Sequence, residues 1–196
     1  HQMFDIAIEL DVIDKNYASF VKIGNRPKSD MHKPFTDVEI QRLFSVVFSE
    51  DIADTVLIMI YTGMRPSELL YMKNENIHLE EKYMVGGIKT KAGKERVVPI
   101  SDKVIPLVRK RYNKENVFFI DMSYHVYSRS FKELMDKLGM EHLPHDCRHT
   151  FASMANTAGV NPTSVKLIMG HASQDLTERV YTHKAVEELI SAVNMI

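Results

Sequence analysis

The sequence predicts a mainly α-helical domain carrying one small antiparallel β-sheet, and three observations lead there. Residues 51–62 are almost wholly apolar, the pattern of a buried helix, and Gly63 stands where such a helix stops. Segments 83–88 and 95–100 are β-rich and flank Lys89-Thr90-Lys91-Ala92-Gly93-Lys94, which suits a hairpin turn. Elsewhere capping residues and glycine stops bracket segments of helical length.

The elements follow in order. Residues 1–24 read as a helix tail and connector, with Ile6, Ile8, Leu10 and Ile13 apolar but no room for a core. Gly24-Asn25-Arg26-Pro27-Lys28-Ser29-Asp30 has the glycine, proline and charge of a linker. Thr36-Asp37-Val38-Glu39 is a capping box, so the main domain starts near Lys33. Pro66 suits the first position of the next helix, which puts Arg65 at a helix entrance. Ser101 and Ser123 are expected caps; Gly139, Gly159 and Gly170 are expected stops, with helices over 145–158, 162–169 and 174–181. Val186, Leu189, Ile190, Val193 and Ile196 form one apolar stripe on a terminal helix whose other face carries Glu187, Glu188 and Asn194. The chain thus divides into a connector at 1–32, a main domain at 33–183 and a tail helix at 184–196.

At 196 residues and 44% hydrophobic, the chain can bury one sizeable core. No apolar run is long enough to cross a bilayer, so a membrane is not an expected partner. Position 1 is histidine, so the chain reads as a piece of a longer protein. The single cysteine, Cys147, excludes an internal disulfide and fits a reducing compartment, the cytoplasm by default. Net charge is −1, but the charges are unevenly spread. Lys89, Lys91, Lys94 and Arg96 crowd the hairpin, Lys103, Arg109, Lys110, Arg111 and Lys114 follow, and Lys22, Arg26, Lys28 and Lys33 precede the main domain. Acids collect at Glu80, Glu81, Glu187 and Glu188. Each basic cluster alone suits a solvated face; together they predict a basic groove for a nucleic acid.

The chemistry-bearing residues lie in three motifs: Thr62-Gly63-Met64-Arg65-Pro66-Ser67-Glu68-Leu69, His145-x-x-Arg148, and Gly170-His171-x9-Tyr181. A phosphodiester is an anion whose oxygens gain charge in the transition state of attack. A guanidinium suits it, because its planar fork donates two hydrogen bonds and stays charged at cellular pH. Arg65 and Arg148 fit that role, and Glu68, one turn on, can orient Arg65. A tyrosine hydroxyl, with a pKa of about 10, becomes a nucleophile when neighbouring cations favour the phenolate. His145 and His171 can donate to phosphate or handle the tyrosine proton. The ester oxygen that departs needs a proton, which a hairpin lysine can supply. A zinc hydrolase is the rival chemistry, since His142, His145, Asp146, Cys147 and His149 crowd one segment. A cation there would repel Arg148, and no HExxH is present.

The ordered set Arg65, Lys91, His145, Arg148, His171 and Tyr181 resembles the catalytic domain of the tyrosine recombinases, the phage integrase and Xer family. The likeness covers roughly residues 33–183. It implies a helical catalytic domain with a three-stranded sheet, normally preceded by a core-binding domain of which residues 1–24 look like the end or the connector. It implies nicking by Tyr181 to a 3′-phosphotyrosyl bond, with Arg65, Arg148 and His171 stabilising the transition state and His145 assisting proton transfer. It places the general acid at Lys91, with Lys89 and Lys94 as rivals in the same turn; Lys89, Lys94 and Arg96 are expected DNA contacts. No metal, ATP or other cofactor is implied. The implied partners are double-stranded DNA, a homotetramer on that DNA, and accessory DNA-bending or directionality proteins. A type IB topoisomerase-like strand transferase and an inactive DNA-binding module are the alternatives. The tail helix has two places to dock, its own domain or a neighbouring subunit.

Overall fold

The computed structural model describes residues 2–10, 12–13, 15–16, 33–86, 96–171 and 183–196. The chain divides into two compact units, residues 1–31 and 32–196. In the first, α1 (Gln2–Glu9) leaves Met3 and Ile6 exposed, and Leu10 and Val12 after it are exposed too, as a short helix with no core of its own must. The linker at 24–30 lies outside the described residues.

The second unit opens with the expected capping box. The Thr36 hydroxyl accepts from the Glu39 amide at 3.3 Å, and the Glu39 carboxylate accepts from the Thr36 amide at 2.7 Å. The box starts α2 (Asp37–Val46), which buries Ile40 and Leu43 against α3 (Ala53–Thr62). All ten residues of α3 are buried, so this helix is the centre of the core. Its polar groups find partners: Arg111 donates twice to Asp54, at 2.8 and 2.6 Å, and the Thr55 and Tyr127 hydroxyls meet at 3.0 Å. At Gly63, where α3 ends, φ is +65°, and a Cβ would lie 2.6 Å from the Phe151 ring. Backbone conformation and the close approach of the Phe151 ring both demand glycine there.

Next come α4 (Pro66–Leu70) and a three-stranded antiparallel sheet in the order β1 (Ile77–His78), β2 (Tyr83–Gly86), β3 (Arg96–Pro99). Met84 pairs with Ile77 on one side and Val98 on the other. The helices α5 (Ile105–Arg111), α6 (Tyr124–Leu138), α7 (Asp146–Thr157), α8 (Pro162–Met169) and α9 (His183–Val193) complete the unit. Helices α8 and α9 both pack on β3, and all four of its residues are buried. The hairpin residues 87–95 and the helix expected over 174–181 lie outside the described residues.

Two expectations are adjusted, and one of the two places open to the tail helix is seen occupied. Ser101 does not cap a helix directly: its carbonyl takes the amides of Val104 and Ile105, and α5 begins at Ile105 because Pro106 fits only a first turn. The basic cluster of α5 is largely engaged within the domain. Arg111 pairs with Asp54, Arg109 with Glu80 at 3.1 Å, and Lys110 lies over the Phe48 ring. Helix α9 lies on its own domain, burying Leu189, Ala192, Val193 and Ile196. Asn194, on the polar face, accepts from the Asp102 amide at 2.8 Å and donates to its carboxylate at 3.1 Å.

Candidate active site

Arg65 is the N-cap of α4, extended at φ −74° and ψ 150°. Glu68 reaches back from the first turn: one oxygen accepts from the Arg65 amide at 2.8 Å, the other from its guanidinium at 2.8 Å. The carboxylate that caps the helix therefore also aims the side chain. Arg96, from β3, holds the same two oxygens at 3.0 and 2.7 Å. Burial pushes the Glu68 pKa up, but the hydrogen bonds and charge of Arg96, then those of Arg65, outweigh it and hold the group at about 2.

Arg148 lies on the first turn of α7 and is 2% exposed. One terminal nitrogen donates to the Gly63 carbonyl at 2.7 Å; the other donates to the Met169 carbonyl and to Nε2 of His171, the latter at 2.8 Å. Gly63 and Met169 stand at the carboxyl ends of α3 and α8, where helix carbonyls carry partial negative charge. Those ends hold the buried cation, and among the described residues no carboxylate forms an ion pair with it. Burial, then the nearby Arg65, lower its pKa to about 10, so it remains charged at neutral pH.

His171 follows Gly170, whose φ of +69° ends α8 and turns the chain. A guanidinium can only donate, so Nε2 of His171 is an acceptor and its ring proton sits on Nδ1. Burial of the ring, then the charges of Arg148 and Arg65, depress its pKa and favour the neutral form. His145 caps the start of α7, one turn before Arg148, with its ring edge-to-face on His149 at 5.2 Å.

Two guanidiniums, Arg65 and Arg96, thus share one carboxylate, and a third, Arg148, lies near enough to feel the charges of all three groups. His171 is exposed, Arg65 is partly exposed, and Arg148 is buried. A site with that excess of positive charge and fork-shaped donors is built for a tetrahedral oxyanion.

Arg65, Glu68, Arg148 and His171 come together, with His145 one turn away. The expectation that Arg96 contacts DNA is overturned: it is 1% exposed and paired with Glu68, because α8 and α9 cover β3. Lys89, Lys91, Lys94 and Tyr181 lie outside the described residues. His142, which the zinc reading would use, stacks on Phe35 at 3.8 Å and directs its two ring nitrogens to the Lys33 carbonyl and to Glu39. Sequence reasoning missed the carbonyls of Gly63 and Met169 as the cradle of Arg148. The glycines at 63 and 170 were the available signal, since each marks a helix end.

Residues 35–188 match the phage integrase family. The chain belongs to that family. Tyrosine recombinase XerA of Saccharolobus solfataricus is 30% identical over 159 residues, which are 80% of this chain and 54% of that protein. The integrase-family chain therefore spans about half the length of that relative. The catalytic domain of bacteriophage HP1 integrase superposes with a TM-score of 0.53 at 29% identity, covering 82% of this chain and 92% of that one. A lambda integrase tetramer bound to a Holliday junction shares the fold, with a TM-score of 0.65 at 18% identity over 87% of this chain and 55% of that chain. The mainly helical architecture with a small antiparallel sheet is the integrase catalytic-domain fold.

Proposed function

We propose that this integrase-family chain is the catalytic part of a site-specific DNA recombinase that cuts and rejoins duplex DNA through a 3′-phosphotyrosyl intermediate, without metal or ATP. The observation that carries the reading is the cluster of a partly exposed Arg65, an exposed His171 and the buried Arg148 bonded to it, positively charged beyond what Glu68 offsets. In the reaction the Tyr181 oxygen attacks phosphorus, the bond from phosphorus to the 5′-oxygen breaks, and that oxygen leaves as a hydroxyl. His145 assists removal of the tyrosine proton, and Lys91 protonates the leaving oxygen. Arg65 and Arg148 bind the non-bridging oxygens, and a neutral His171 adds its N–H. The phenolic ester keeps the energy of the broken bond, so reversal by another strand's 5′-hydroxyl needs no ATP. A homotetramer on DNA fits the reading, since the lambda integrase relative forms one on a Holliday junction. Double-stranded DNA is the substrate, and accessory DNA-bending proteins are the natural further partners.

The test is adduct formation on nicked suicide duplexes, in which the released strand diffuses away and traps the covalent complex. The unsubstituted chain should give a protein–DNA adduct on a denaturing gel, in chelator as in magnesium. Tyr181→Phe, which keeps the ring and loses the attacking oxygen, should give none while duplex affinity stays within about threefold. An adduct that persists in Tyr181→Phe, or that needs a divalent ion, overturns the reading.

A further inference from the structure

Arg96 takes no part in the chemistry above, yet it is a charged side chain with its guanidinium enclosed in the core at 1% exposure. Stability gives little reason for that, because a buried ion pair roughly breaks even against well-packed apolar residues. Its bonds are more informative. Among the described residues, two go to Glu68, at 3.0 and 2.7 Å, and another runs from Nε to the Ile168 carbonyl at 2.8 Å. They join three places: β3, at the foot of the hairpin; α4, whose cap is Arg65; and the end of α8, immediately before the Met169 carbonyl that holds Arg148.

We infer that Arg96 is a positioning residue that holds Glu68 and the end of α8 together, and so sets the spacing between Arg65 on one side and Arg148 with His171 on the other. Charge gives it a second effect. Glu68 with Arg65 alone would be a closed neutral pair, and the carboxylate would compete with phosphate for that guanidinium. With Arg96 sharing the carboxylate, the trio keeps a net positive charge and Arg65 remains available to an anion. The inference rests on the cleavage reading for its consequence, not for its geometry.

The test uses Arg96→Met, which keeps much of the volume, and Arg96→Lys, which keeps the charge and loses the fork. A nicked suicide duplex is chosen from a randomised pool by its adduct with the unsubstituted chain. Rates are single-turnover at saturating duplex, at a temperature where circular dichroism shows each variant folded. A separate arm follows binding of inorganic phosphate by phosphorus NMR. Arg96→Met should slow adduct formation about a hundredfold with unchanged duplex affinity, the loss expected of an ångström-scale misplacement. Arg96→Lys should fall between, and phosphate affinity should drop in Arg96→Met as it does in Arg65→Ala. Folded variants that cleave within about threefold of the unsubstituted chain would sink the inference. So would equal phosphate affinity in Arg96→Met, or no phosphate binding by the unsubstituted chain. If Arg96→Met does not fold, Arg96→Lys decides by the same rate criterion. If no duplex gives an adduct with the unsubstituted chain, the cleavage reading falls, and the phosphate arm still decides for or against Arg96.

Discussion

Glu68 ties the electrostatics of the site to the stability of the domain. Its folded pKa of about 2 lies below its ordinary value of 4.5, so the folded state binds fewer protons than the unfolded one between those values. The stabilisation is therefore fully present above about pH 4.5 and is lost as pH falls toward 2. A depression of that size corresponds to roughly 3 kcal/mol. Thermal melts between pH 5 and 2 should show that loss, and Glu68→Gln should flatten the dependence; an equally steep profile in the variant would place the acid sensitivity elsewhere. His171 acts in the same direction from a higher pH, since its pKa is also depressed. At this scale Arg65, Glu68, Arg148 and His171 were legible because each sits beside a helix start or stop that fixes its place. Arg96 was not. A basic residue beside a lysine-rich turn looks like a DNA contact until the helices that cover its strand are known. Burial also removes one tyrosine from consideration: Tyr127 is fully enclosed with its hydroxyl on Thr55 and its pKa raised, so it is no candidate nucleophile.

Among the elements, periodicity and capping gave the best-placed boundaries. Residues 51–62 became α3 at Ala53–Thr62, and 162–169 became α8 at Pro162–Met169. Of the two strands expected over 83–88 and 95–100, the described residues hold Tyr83–Gly86 and Arg96–Pro99, and the second ends one residue early, at Pro99. The segment between these two strands carries Lys89, Lys91 and Lys94, and the distinction among those lysines is chemical. If Lys91 protonates the 5′-oxygen, Lys91→Ala should slow cleavage of ordinary DNA by about 10²–10⁴-fold. Sulfur at the bridging position leaves as a thiolate without a proton, so the same variant should recover on a phosphorothiolate duplex. Lys89→Ala and Lys94→Ala should weaken binding and reduce its salt dependence, with no sulfur rescue. Equal rescue of all three would make the hairpin an electrostatic element with no assigned acid.

For the whole molecule, the question left open by the sequence is what the terminal helix holds together. The stripe was visible in its spacing, but a stripe does not name the surface it covers. In the folded chain that surface is β3 and α8, the two elements that also fix Arg96 and the Met169 carbonyl. The tail therefore packs on two elements that hold the candidate site's side chains. Leu189 and Val193 are 3% and 1% exposed, and Ala192 and Ile196 are buried with them. Burying a large aliphatic side chain contributes about 1.5–3 kcal/mol, so removing three of them takes away an amount comparable to the whole stability of a domain, about 5–15 kcal/mol. Deleting residues 185–196 should then leave a chain that is unfolded or loosely packed at 37 °C, and Leu189→Ala alone should cost about 2–5 kcal/mol in denaturant melts. A tail exchanged between subunits predicts the opposite pattern, a truncated chain that melts normally and fails only to assemble on DNA. Melting of the truncated chain, read beside sedimentation of its DNA complex, separates the two.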